Sequence, residues 1–186
     1  RITLPLLKMF EKLFNKGLFD SLVVDKSVFS LGLIDCLKCE IRCCSDVHRL
    51  LGTVGVANGL LSSLHDEAIR KDLLRFLLSM LGHGFPRVRR FTADQMYVSL
   101  LEDSSIIPTQ SGIDGSLNFL LTVHWEDDSL TSDDLKDLVV SLSALLGVSL
   151  PLNTLLLNGH PARTPVEEQA TDEFDTYASL VNDIMN

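Results

Sequence analysis

The feature that most constrains this chain is a pair of apolar stripes separated by a glycine- and proline-containing break, over residues 66–102. The stretch reads DEAIRKDLLRFLLSMLGHGFPRVRRFTADQMYVSLLE. In its first half Leu73, Leu74, Leu77, Leu78, Met80 and Leu81 recur at spacings of three and four, which stacks them on one side of a helix. Gly82 and Gly84 are expected to stop that helix by taking the positive φ that suits a helix C-terminus. Pro86 restarts the chain, because its fixed φ fits the first helical position and its missing N–H is not needed there. The second helix is predicted over 87–101. It has Val88, Phe91, Thr92, Met96, Ser99 and Leu100 on one side, with Tyr97 and Leu101 beside them. Two helices joined so tightly, each apolar, cannot bury all of that surface on each other. They need like neighbours stacked on either side, as in a helical solenoid.

The rest of the chain supplies such neighbours. Thr3 and Pro5 are expected to cap and open a first helix with Leu6, Met9, Phe10, Leu13 and Phe14 as its stripe, and Asn15, Lys16 and Gly17 end it. A short apolar piece over 18–24 leads to a second helix over 27–44, with Ile34, Leu37, Ile41 and Cys44 on one face. A third helix, capped by Asp46, runs to about residue 64 with Val47, Leu50, Leu51, Val54, Ala57, Leu60, Leu61 and Leu64 in register. Beside that stripe lie Gly52, Gly55 and Gly59, each costing roughly 1 kcal/mol against alanine inside a helix. Either a neighbouring backbone packs very close along that line, the favoured reading, or the helix is kinked. After residue 102 a loop rich in Ser, Pro and Gly is expected over 103–115, then a short helix over 116–123. An acidic turn at 124–128 and a helix over 133–146, capped by Thr131 or Ser132 and closed by Gly147, complete the series. The predicted fold is all-α, a HEAT- or armadillo-like solenoid over 1–149, with no alternating strand pattern.

Residues 150–186 change character. A linker-like turn at Asn158, Gly159, His160 and Pro161 precedes a segment from Thr171 with Phe174, Tyr177, Ala178, Val181 and Ile184 at helical spacing among carboxylates. It reads as an acidic amphipathic helix that docks back on its own domain or reaches a partner. Residues 138–162 carry no Asp, Glu, Lys or Arg over 25 positions, long enough to span a bilayer. Gly147, Pro151 and the interspersed Ser, Thr and Asn make that a poor spanning helix, so no membrane span is expected.

With 186 residues and a net charge of −9, and a pI near 4.9, nucleic acid and anionic membrane are poor partners because most of the surface repels them. Mean hydropathy of +0.22 suits helices buried on two sides. The chain enters a helix almost at once, without a signal-like lead, and reads as the C-terminal segment of a longer solenoid. Cys36, Cys39, Cys43 and Cys44 invite a metal reading through their C-x2-C spacing, with His48 or His65 to complete it. They fall on one continuous predicted helix without a turn to wrap ligands round a metal, so buried thiols are the expectation and a metal-binding helical module the alternative. No nucleophile elbow, phosphate loop or dinucleotide fingerprint occurs, and nothing points to catalysis. Lys71, Arg75, Arg87, Arg89 and Arg90 form the one basic cluster, a candidate contact for an acidic partner surface. The competing reading binds these arginines to a neighbouring repeat.

Pro86, Arg87, Val88 and Arg89, followed by Thr92 and Ala93, resemble the start of the second helix of a HEAT repeat, where a Pro-x-Val-Arg run is usual. Gln95 departs from the small apolar residue usual there. The longer stretch LGHGFPRVRRFTADQMYVSLLE over 81–102 resembles a near-C-terminal repeat of the tubulin-folding cofactor D family. Thr122 to Trp125, the acidic turn after it and Leu145 to Val148 are similar to that family's C-terminal end. Leu4 to Lys8 with Glu11 to Leu13 is a looser match, and residues 150–186 have no counterpart. The resemblance implies a cytoplasmic, cytoskeleton-associated α-solenoid chaperone that binds β-tubulin; no small-molecule or metal cofactor is expected. Its implied partners are cofactors E and C and an Arf-like small GTPase, with which it assembles or takes apart the αβ-tubulin dimer. It further implies that the chain is not itself an enzyme, the stimulated GTP hydrolysis being tubulin's. A HEAT scaffold for a different assembly is the rival within the same fold.

Overall fold

The computed structural model describes residues 2–19, 27–107 and 109–150; the predicted amphipathic segment from Thr171 lies outside them. Among the described residues there are seven α-helices and no strand. They are α1 (Thr3–Phe14), α2 (Ser27–Ile41), α3 (Val47–Ser63), α4 (Glu67–Leu81), α5 (Pro86–Glu102), α6 (Gln110–Thr122) and α7 (Ser132–Leu145), with a 3-10 turn at Ser104–Ile106. The helices form two layers: α2, α4 and α7 lie side by side in one, and α1, α3, α5 and α6 in the other. Each of α2–α3, α4–α5 and α6–α7 crosses between layers, which is the stacked-pair arrangement of a helical solenoid. The last pair runs in the opposite order, because α6 continues the layer of α5 and α7 returns to cover α4.

Local chemistry sets most boundaries. Asp46 and Asp66 cap α3 and α4, each carboxylate accepting two backbone N–H groups of the first turn. Thr131 and Asp134 form a reciprocal capping box at the start of α7. Gly17 and Gly147 adopt positive φ, 65° and 67°, and close α1 and α7. In both cases the next amide reaches back to the carbonyl five residues earlier, Leu18 to Leu13 and Val148 to Ser143. Gly82, by contrast, has φ −81°, and Gly84 is not left-handed either. The α4–α5 turn therefore closes without the positive φ expected there. The Gly82 amide simply continues to Leu78, and the His83 ring accepts the Phe85 amide at 3.1 Å. Thr3 is the first residue of α1 and caps nothing; Ile2 precedes it without a side-chain bond.

The glycines of α3 carry its packing. This helix lies between α1 and α5 with α2 and α4 across the layer, and twelve of its residues are buried. A Cβ on Gly52 would sit 3.3 Å from the Leu7 Cβ, and one on Gly59 would sit 2.7 Å from the Phe14 Cβ. Over Gly55 the Glu11 carboxylate lies at 2.8 Å. α1 is the closely packed neighbour that the glycine line requires, and α3 runs as one helix. Between α3 and α5 the contact is partly polar. Ser99 Oγ donates to Asn58 Oδ1 at 2.8 Å, and Asn58 Nδ2 donates to Gln95 Oε1 at 3.4 Å. Gln95 is thereby explained: it answers a buried asparagine, which unpaired would carry a desolvation cost of about 1–3 kcal/mol.

Other expectations change. α6 begins at Gln110, not near 116. Gly112 and Gly115 suggest a loop, yet they are sites of close approach to α7, with the Leu145 carbonyl 2.9 Å from a Cβ placed on Gly112. α2 stops at Ile41, and Cys43 takes φ 55°, so Cys43 and Cys44 lie beyond the helix. Cys44 is buried, but Cys36, Cys39 and Cys43 are exposed, against the expectation of buried thiols. In α1 the buried line is Leu7 and Phe14, while Leu6 and Met9 face outward; on α5 Leu101 is exposed.

Gly59→Ala should therefore destabilise the fold by about 1–3 kcal/mol through overpacking against Phe14. Gly32→Ala, on an open face of α2 where a Cβ meets nothing within 4 Å, should stabilise it by about 0.5–1 kcal/mol. Urea midpoints of the two variants, measured together, distinguish the cases.

Candidate interaction surface

The basic residues near the α4–α5 turn do not form one patch. Arg89, one turn into α5, points back into the protein and is 2% exposed. Its Nε donates to the Trp125 carbonyl at 2.9 Å and its Nη2 to the Asp127 carbonyl at 2.7 Å. Its Nη1 reaches the His83 and Gly84 carbonyls at 3.1 and 3.4 Å. The rigid fork of guanidinium donors spans two loops at once, which an ammonium does not. Burial lowers the pKa of Arg89 while Asp128 and Asp127 act in the other direction, and the side chain stays charged. As a contact for an outside partner Arg89 is thus unavailable: it binds the α6–α7 connection.

Arg90 stays on the surface, 3.1 Å from Asp94 and 3.3 Å from Glu126. Its pKa is raised, first by the hydrogen bond to Asp94 and then by the charges of Asp94 and Glu126. Arg87 is exposed at the start of α5. Lys71 and Arg75 stand apart on α4. Lys71 is ten residues before its end, roughly 15 Å along the axis, and pairs with Glu67 at 2.6 Å. Arg75 donates through Nε to the Ser149 carbonyl at 2.9 Å. Helix rise alone separates residues that sequence proximity groups together.

Two further features emerge from the packing. At the N-terminal end of α4 a cavity of about 300 Å³ is lined by His65, Glu67, Arg70, Lys71, Leu74, Ser105, Ile106, Leu146 and Gly147. Three separate stretches build it, so sequence reading singled out Lys71 and His65 for other roles and did not bring them together. Arg70 is held there by Asp103 at 2.8 Å and by the Ser105 carbonyl and hydroxyl at 3.2 and 3.1 Å. Its buried Nε has no acceptor. The second feature is apolar: Ile2 (81% exposed), Leu6 and Met9 on and before α1, and Val28 (79%) and Leu31 on α2. Leu6 and Met9 belong to the periodic stripe of α1, and only the choice of which side meets α3 leaves them open. Among the described residues no three His, Cys, Asp or Glu side chains gather as metal ligands. No helix there is long and apolar enough to cross a membrane.

Arg89→Met should cost about 2–4 kcal/mol, because it strands the carbonyls of 83, 125 and 127, and Arg89→Lys should recover little of it. Arg90→Ala, by contrast, should stay within about 0.5 kcal/mol. Chemical denaturation reads all three. A pH series tests the carboxylates. For Asp103, burial opposes the charged form, but hydrogen bonds from the Ser105 hydroxyl and amide and the charge of Arg70 outweigh it and lower its pKa. Asp134 is lowered by Thr131, Asp127 by Ser129, and Glu126 by its own backbone amide and Arg90. Groups with depressed folded pKa values stabilise above the ordinary carboxylate range and lose that contribution as pH falls through the folded values. The urea midpoint is expected to be flat from about pH 7 to about pH 5 and to fall below about pH 4, less steeply in Asp103→Asn.

Comparison with known proteins places the start of the chain. Residues 1–49 match the family model described as tubulin folding cofactor D C terminal. That match covers α1 and α2, where the sequence resemblance was loose, and leaves out 81–102, where it was most specific. No solved structure matches the chain. Residues 1–49, which carry the exposed apolar side chains of α1 and α2, are thus the stretch similar to the tubulin folding cofactor D C-terminal family.

Proposed function

We propose that this chain is an interaction scaffold in tubulin folding. The observation that carries the reading is the family match over residues 1–49. In this reading the stacked helices bind β-tubulin and act with cofactors E and C and an Arf-like small GTPase. Together they assemble or dissociate the αβ-tubulin dimer in the cytoplasm, beside the cytoskeleton. The chain contributes shape and surface and performs no chemistry itself. As part of the larger complex it promotes GTP hydrolysis that tubulin carries out.

Two properties of the described structure support a binding role. Stacked helix pairs present an extended surface whose curvature changes by small rotations between neighbours. Large apolar side chains stand open on α1 and α2, the kind of surface that marks a protein contact. Arg87 and Arg90 remain at the surface for an acidic partner, whereas Arg89 does not.

Gel filtration of the chain with αβ-tubulin, at low and at moderate salt, tests the reading. A complex that weakens as salt rises is expected, and Arg87→Glu with Arg90→Glu should weaken it further while leaving helical content unchanged by circular dichroism. A folded chain that elutes apart from tubulin at low salt overturns the tubulin contact for this segment.

A further inference from the structure

We propose that the cavity at the N-terminal end of α4 is the docking site for the acidic segment 171–184 of this same chain. The proposal is independent of the tubulin reading. It rests on three observations that meet at one corner of the fold.

The first is charge. Arg70 and Lys71 line the cavity with Glu67 as the one carboxylate in its wall, Arg70 being paired as well with Asp103 beside it, in a chain of net charge −9. Lys71 spends one of its three N–H donors on Glu67. The Arg70 Nε is buried without an acceptor. The donors left over are the remaining N–H groups of Lys71 and the Arg70 Nε, which an acceptor-rich ligand would answer. The second is shape. Beneath the basic rim lie Leu74, Ile106 and Leu146, all buried, so the site offers an apolar floor under a cationic edge. A ligand that fits has an apolar face flanked by carboxylates.

The third is connectivity. Residues 164–186 contain six carboxylates, at 167, 168, 172, 173, 175 and 183, and no Lys or Arg. Phe174, Tyr177 and Val181 recur there at helical spacing beside Asp172, Glu173 and Asp175. The chain reaches this corner of its own accord. Leu146 and Gly147 are part of the cavity wall, and Arg75, one turn beyond Lys71 on α4, holds the Ser149 carbonyl. Between Leu150 and Thr171 lie about 20 residues, a length that as a random chain would span roughly 25 Å on average, ample to return to a cavity near Leu150. Tethering at that length gives an effective concentration on the order of 1 mM, which favours this segment over a second copy.

Hydrogen exchange of the whole chain, read by mass spectrometry at about 50 mM and about 500 mM salt, tests the proposal. At low salt the amides of 67–75, 104–106 and 171–184 should all exchange roughly tenfold more slowly than at high salt. Lys71→Glu should release both sides together, and adding Glu173→Lys should restore them. Because Lys71→Glu also breaks the pair with Glu67, Asp172→Asn with Glu173→Gln and Asp175→Asn serves as the second variant. It should give the same release without touching the described helices. Segment 171–184 exchanging at the free-chain rate at low salt overturns the proposal, as does protection that ignores both variants. Carbodiimide cross-linking of an equal mixture of light and nitrogen-15 chains decides the source of the carboxylates. Links from Lys71 to 172–175 within one isotope are expected, and links across isotopes would assign the site to a second copy instead.

Discussion

The array depends on one buried cation. Arg89 sits at the beginning of α5, where its guanidinium joins the carbonyls of the α4–α5 turn to those of the α6–α7 connection. Through it the turn that defines one helix pair is bound to the turn that defines the next. A guanidinium suits this position because its donors are fixed in a plane, so several carbonyls from two loops are satisfied without reorganising any of them. Trp125 completes the arrangement. Its carbonyl accepts from Arg89, its indole N–H donates to the Leu120 carbonyl at 3.2 Å, and its ring is fully buried. The order reversal of the last pair, with α6 beside α5 and α7 over α4, is thus held by hydrogen bonds as well as by apolar packing.

Between the layers the same economy appears in a different form. α3 has almost no polar face to offer, because neighbours surround it, and it meets them in two ways. Toward α1 it presents glycines, so that the helices approach until Cβ atoms of Leu7 and Phe14 fill the space where side chains of α3 would be. Toward α5 it presents Asn58, matched by Gln95 and Ser99. Apolar contact tolerates sliding, whereas a buried amide with two specific partners does not. The pair Asn58 and Gln95 therefore sets the register in which α5 stacks on α3.

The surface divides by chemistry. On α1 and α2 the open groups include large apolar side chains, with Cys36 and Cys39 exposed on α2 along with Val28 and Leu31. At the α4 end they are the ion-paired Arg70 and Lys71 over buried Leu74, Ile106 and Leu146. A scaffold that carries both kinds of surface on rigid helices can hold an apolar contact and an acidic one at the same time.

Helical class, the paired stripes of α4 and α5 and the caps at Asp46, Pro86 and Thr131 were all legible in the residues, because helix periodicity and capping are local properties. So was the close approach along Gly52, Gly55 and Gly59, since glycine in a helix interior asks for a reason. The resemblance to cofactor D also came from sequence, although the family match lies on residues 1–49 and not on the more specific stretch. Tertiary structure decided what local pattern leaves open. Gly112 and Gly115 could mark a loop or a contact, and only the position of Leu145 makes them a contact. Gln95 is an oddity until Asn58 stands opposite. Arg87, Arg89 and Arg90 are neighbours in sequence, yet a turn of helix sends Arg89 into the core and leaves the others in water. Which face of α1 and α2 is open follows from where α3 lies. That is a property of packing, in which residues far apart in the chain compete for the same volume.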